Sequence, residues 1–89
     1  MKPLIISAHA RREMERREIA EDMVREVALA PQQVTSSREG RAIHQSIVSD
    51  PETGKLMLLR VIVVQRQEDI FVLTTYMTSK VEKYWQSKE

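Results

Sequence analysis

Three side chains in this sequence are of types, and in positions, that could carry chemistry: His9, Arg60 and Tyr76. Arg60 is the most informative, because it stands alone inside Lys55–Gln65, a run that is otherwise almost wholly apolar. A guanidinium there costs free energy unless it meets an anion or reaches water. It therefore either lines an anion-binding groove or pairs with a buried carboxylate. His9 is the acid–base candidate, since imidazole titrates nearest neutral pH. The competing reading is a histidine at a helix start that merely bonds to the backbone. Tyr76 could donate a proton or stack on a base, but it also fits a strand tyrosine with a partly buried ring.

Around these three lie cations. Arg12 and Arg16 share the helical face of His9 and Glu13, at spacings of i+3 and i+7 from the histidine. They would contact phosphates as a pair, or form a solvated surface laced by Glu13 and Glu15. Lys80 and Lys83 follow Tyr76 on a closing helix and either extend a basic patch or complement the helix dipole. The net charge of +1 does not by itself mark a nucleic-acid binder. The sequence has no Cys, which excludes disulfides, thiolate zinc sites and thiol catalysis. His9 and Glu13 give two ligands at most, His44 is the other imidazole, and no metal site is expected. No Gly-rich phosphate loop is present, so no nucleotide cofactor is expected.

The elements that must position these residues read as one domain over residues 1–89. Leu4-Ile5-Ile6 is a brief strand or extended arm. Ser7 is an N-cap for a helix over Ala8–Arg17, with Met14 its core anchor. A second helix runs from Ala20 to Leu29, with Ile19, Met23, Val24, Val27 and Ala28 at helical spacing, and Pro31 ends it. The period then changes to two. Val34–Ser36 is a weak edge strand, Arg38–Gly40 a turn, and Arg41–Ser49 a second strand. Asp50–Gly54 is a loop, and Lys55–Gln65 and Ile70–Tyr76 form a hairpin about Arg66–Asp69. A short helix over Thr78–Ser87 closes the chain, with Val81, Tyr84 and Trp85 on one stripe. The expected fold is α+β: two N-terminal helices on a four-stranded antiparallel meander, with a short C-terminal helix.

In the simplest hairpin register, Gln65 opposes Ile70 and Arg60 opposes Thr75. Tyr76 then shares a face with Val61 and Val63, while Arg60 shares the other with Leu58 and Ile62. Both faces are apolar enough to need cover. The two N-terminal helices cover one. The other requires the terminal helix, a second copy of the chain or a partner protein, so association through the sheet is expected, driven by about 25 cal/mol per Å² of apolar area. The Met1 segment lacks a signal-peptide core and no run approaches membrane-spanning length, so a cytoplasmic protein without membrane contact is the expectation.

Several short motifs carry a resemblance across nearly the whole chain: Ser7-Ala8-His9-Ala10, Met14, Arg17, Ile19, Gly40-Arg41, Leu59-Arg60-Val61, Thr75-Tyr76, Thr78-Ser79-Lys80 and Lys83-Tyr84-Trp85. They look like a bacterial domain-of-unknown-function family that opens on a His-Ala…Arg-Met…Arg-Gly-Ile pattern and closes on a Thr-Val-Tyr strand. That family resembles the RelE/ParE-like toxins and the wider group containing barnase, EndoU and colicin ribonucleases. Two departures are visible: Glu13 replaces a frequent Arg, which weakens an arginine clamp on the first helix, and Glu18 replaces the usual Gly. The resemblance implies a RelE-like fold and a metal-independent endoribonuclease of a toxin–antitoxin system, acting on RNA or ribosome-bound message and held by an antitoxin. On this mapping His9 is base or acid, Arg60 stabilises charge and Tyr76 orients or donates a proton. Arg12, Arg16, Arg41, Thr75, Lys80 and Lys83 would lie along the RNA. The alternative is a non-catalytic interaction module of the same fold that uses its apolar sheet face for a homodimer or another protein.

Overall fold

A computed structural model of the chain describes residues 2–37 and 39–87. The elements run β1 (Leu4–Ile6), α1 (Ala8–Arg17), α2 (Glu21–Leu29), β2 (Gln33–Ser36), β3 (Arg41–Ser49), β4 (Leu56–Gln65), β5 (Ile70–Thr78) and α3 (Val81–Tyr84). The fold is α+β, with a five-stranded sheet in the order β1-β5-β4-β3-β2. The meander from β2 to β5 is antiparallel as expected. The four-stranded expectation needs correction, because β1 adds a fifth strand, parallel to β5, with Ile5 opposite Phe71. Leu4 and Ile6 are buried and Ile5 is exposed, so even three residues alternate well enough to dock on that edge. The turn that joins β2 to β3 includes Glu39 and Gly40; Arg38 lies outside the described residues.

Local chemistry sets both helices. The Ser7 hydroxyl accepts from the Ala10 amide at 2.9 Å and donates to the Leu73 carbonyl at 2.9 Å, capping α1 while tying it to β5. Glu18 ends α1 in the left-handed region at φ 58°, and the Ile19 amide closes back on the Met14 carbonyl at 2.8 Å. The core lies between these helices and one face of the sheet. Ala10, Met14, Ile19, Val24, Val27 and Ala28 pack against Leu59, Val61, Val63 and Val72. His44 points to the same side, with Nδ1 2.7 Å from the Ala28 carbonyl at the end of α2.

The hairpin register corrects the simple expectation. Gln65 does oppose Ile70, and the Arg66 amide donates to the Asp69 carbonyl at 2.8 Å, as the turn assignment requires. A β-bulge then intervenes: Val63 pairs with Val72, but Ile62 pairs with Thr74, leaving Leu73 as the extra residue. Beyond it every partner is shifted by one, so Arg60 faces Tyr76 and Val61 faces Thr75. Tyr76 thus joins Arg60 on the sheet face away from α1 and α2, and Thr75 turns into the core, where it is 1% exposed.

The closing helix is shorter than its sequence stripe. Thr78 still belongs to β5, α3 spans four residues, and Trp85 is already extended at ψ 130°. The main chain near Tyr84 and Gln86 bonds to glutamine side chains of β2 and β3 instead of prolonging the helix. No helix among the described residues is long and apolar enough to cross a membrane.

Candidate functional site

The second sheet face is built by alternation. In β4, Leu59, Val61 and Val63 enter the core, so Leu58, Arg60, Ile62 and Val64 point the other way. Their cross-strand neighbours Gln45 and Ile43 in β3, and Tyr76, Thr74 and Phe71 in β5, share that face. Arg60 is at its centre.

Arg60 is buried, at 8% exposure, yet makes no ion pair among the described residues. Its partners are neutral. Nε donates to Gln45 Oε1 at 2.9 Å and Nη1 donates to Tyr76 Oη at 2.6 Å. The Tyr84 ring of α3 covers the guanidinium with its centroid 4.2 Å from Cζ, and the Tyr76 ring lies at 5.8 Å. The two tyrosine rings meet edge to face at 6.5 Å. Gln45, fully buried, passes the network outward: its Nε2 donates to Gln33 Oε1 at 2.8 Å and to the Tyr84 carbonyl at 3.2 Å. Gln33 in turn holds the Gln86 main chain by two bonds, of 2.7 and 3.0 Å.

Of the two fates open to Arg60 on sequence grounds, a buried carboxylate partner is not found among the described residues. Among the described residues the guanidinium meets no counter-charge and is polarised toward a phenol and an amide. The Tyr76 hydroxyl, which accepts from Arg60, keeps its own hydrogen available for another acceptor. Together they can bind an anion and offer it a proton.

Not every expected residue gathers there. His9 is exposed on α1, in the layer on the other side of the sheet from Arg60. Arg12 and Arg16 are exposed on the same helix, and Arg16 donates to Glu13 at 3.0 Å. Arg17 donates to Glu13 at 2.9 Å, and these two arginines pull the Glu13 carboxyl down to about 2. Glu13 is thus engaged by arginines rather than poised beside His9. The buried Thr75 hydroxyl donates to the Arg60 carbonyl at 2.9 Å, an internal role that takes it out of reach of RNA. Arg41 opposes Val64 and so shares the Arg60 face, about 13 Å along the sheet at roughly 3.3 Å per residue. Lys80 and Lys83 are exposed on the C-terminal segment, with Lys83 Nζ 5.3 Å from the Tyr84 ring centroid.

The sequence reading missed Gln33, Gln45, Tyr84 and Arg66 as members of this face. Arg66 bonds to Asp69 and lies over the Phe71 ring at 4.2 Å. One signal was available for Gln45: it interrupts the Ile43–Ile47 line at period two, as Arg60 interrupts the apolar line of β4. Two polar intruders at paired positions belong to one site.

The resulting face has basic residues at Arg41, Arg60, Arg66 and Lys83, interleaved with Phe71, Tyr76 and Tyr84. The helix layer instead mixes Arg11, Arg17 and Arg25 with Glu13 and Glu21 in ion pairs. Among the described residues no group of three or more His, Cys, Asp or Glu side chains is disposed to hold a metal ion. The family described as "Domain of unknown function (DUF4258)" matches residues 6–77. No curated protein and no solved structure gives a significant match.

Proposed function

We infer, for a chain that belongs to the DUF4258 family, that it is a toxin-like endoribonuclease acting on RNA phosphodiesters without a metal, in the manner of the RelE/ParE-like toxins its motifs resemble. One observation carries this reading: a buried guanidinium that has no carboxylate partner among the described residues and donates at 2.6 Å to a phenol on the same basic, aromatic face. Aromatic rings beside cations are what a single strand needs, since bases stack while phosphates pair. Arg60 would hold the phosphoryl oxygens as the ribose 2′-oxygen adds to phosphorus and charge builds there. Tyr76 would protonate the departing 5′-oxygen, and water would take the 2′-hydroxyl proton. His9 has no part in this centre.

The test is cleavage of a labelled RNA by the purified chain in the presence of a chelator. Products ending in a 2′,3′-cyclic phosphate, and their loss in Arg60→Ala and Tyr76→Phe, are the expected result. Intact RNA, together with unimpaired growth of cells expressing the chain, would discard the nuclease reading.

A second reading is favoured by the distance of His9 from this face and by the row of partly exposed Ile43, Ile62, Val64 and Phe71 beside Arg60. It is a non-catalytic module of the same fold that associates through that row. Sedimentation at micromolar concentration tests it: a dimer that Ile62→Asp converts to monomer supports association, and a strict monomer opposes it.

A further inference from the structure

We propose that residues 79–87 form an autoinhibitory strap that occupies the RNA-binding position over Arg60 and is displaced by the strand it mimics. The proposal rests on the reading of this face as an RNA site and adds its regulation.

The strap's contacts are those a nucleotide would make. Tyr84 lays an aromatic ring on the guanidinium at 4.2 Å, as a stacked base would. Gln33 meets the Gln86 main chain with one donor and one acceptor at 2.7 and 3.0 Å, the paired pattern that an amide also offers to a base edge. Gln45 gives its remaining hydrogen to the Tyr84 carbonyl at 3.2 Å. Every one of these partners on the sheet is a group that could serve RNA.

The attachment is light. Helix α3 has four residues, its N-cap Lys80 makes no side-chain capping bond, and it buries no residue fully. The floor beneath it is separately built, for Arg60, Gln45 and Tyr76 are held by the strands and bonded to one another. The DUF4258 match also stops at residue 77, so the strap lies outside the matched domain that contains the site.

Binding of a fluorescein-labelled RNA oligonucleotide, read by anisotropy, tests this on four chains. They are the full chain, a chain ending at Thr78, the full chain with Tyr84→Ala, and the full chain with Arg60→Ala. Circular dichroism and melting establish which of them are folded. Because Leu58, which pairs with Thr78 at the root of this segment, is fully buried, Tyr84→Ala supplies the comparison if the shortened chain unfolds. The expected result is at least tenfold tighter binding by the shortened chain or by Tyr84→Ala than by the full chain, and a loss on Arg60→Ala. A second expected sign is a shift in the fluorescence of Trp85, the single tryptophan, as RNA binds the full chain. Equal or weaker binding by the folded strap variants, with binding still dependent on Arg60, overturns the strap and leaves the site. Binding that ignores Arg60→Ala, or absent from every chain, overturns the site and the strap with it.

Discussion

Tyr76 stands directly across the β4–β5 ladder from Arg60, and its hydroxyl accepts from Arg60 Nη1 at 2.6 Å. The contact exists because Leu73 bulges out of β5 and shifts the residues beyond it by one. Removing the phenol oxygen leaves a buried guanidinium one partner short. Tyr76→Phe should therefore cost about 1–2 kcal/mol in urea unfolding. Arg60→Met should cost more than Tyr76→Phe, because it strips the fully buried Gln45 Oε1 of the donor it meets at 2.9 Å. A neutral Tyr76→Phe would mean that the bond does not constrain the folded state.

That bulge marks the limit of what the sequence discloses. Helices α1 and α2 follow from periodicity and from Ser7 and Pro31, and the β2–β5 meander follows from turn residues and period two. Arg60 stood out because one charge in an apolar strand is a local conflict, visible without the fold. Its pairing with Tyr76 does not stand out, because a bulge is a backbone property that Val72-Leu73-Thr74 does not announce. The same limit hides where the Leu4–Ile6 strand docks, since its pairing with β5 joins Leu4 to Ile70, a separation no local pattern spans. His9 was misplaced for another reason: the helical period fixes which residues share a face, but not which side of the sheet the helix covers.

Glu18 holds a left-handed backbone, φ 58° and ψ 48°, at the α1 C-cap. A side chain in that region costs about 1 kcal/mol relative to Gly. Glu18 also crowds Glu52, whose carboxyl it pushes up from its ordinary value. Glu18→Gly relieves both strains. Thermal unfolding at neutral pH should show a gain of about 1 kcal/mol, or roughly 4–8 °C in midpoint for a domain of this size. A lower midpoint would show that the Glu18 side chain makes a stabilising contact instead.

Acid should weaken the helix layer through Glu13. Hydrogen bonds from Arg17 and then Arg16 lower its carboxyl from 4.5 to about 2 in the folded chain. A depressed folded value means stability that is fully present above the unfolded value and is lost as pH falls through the interval down to about 2. Glu52, pushed up by Glu18, works oppositely: its contribution is present in acid and is lost as pH rises through its folded value. Glu13→Gln should therefore be less stable than the parent at pH 7 and converge with it near pH 2, whereas Glu52→Gln should be the more stable chain at pH 7. Urea midpoints measured across this range check both signs, and a Glu13→Gln deficit that persists unchanged in strong acid would contradict the first.

The two layers of the fold make opposite demands on His9 and Arg60, and this separates a base-driven cleavage from one centred on the sheet. An imidazole acts on a 2′-hydroxyl only within hydrogen-bond reach or through one water. His9 is on α1, whose Ala10 and Met14 pack into the core on one side of the sheet, while Arg60 points from the other side toward Tyr84. A single phosphodiester cannot touch both without the sheet between them. His9→Ala should leave the rate of RNA cleavage within about twofold of the parent. Arg60→Ala should lower the rate by about a hundredfold or more, the loss typical when a preorganised donor to a developing oxyanion is removed. If His9→Ala abolishes cleavage while its melting temperature is unchanged, RNA must bind on the helix layer and the Arg60 face must be given up as the site.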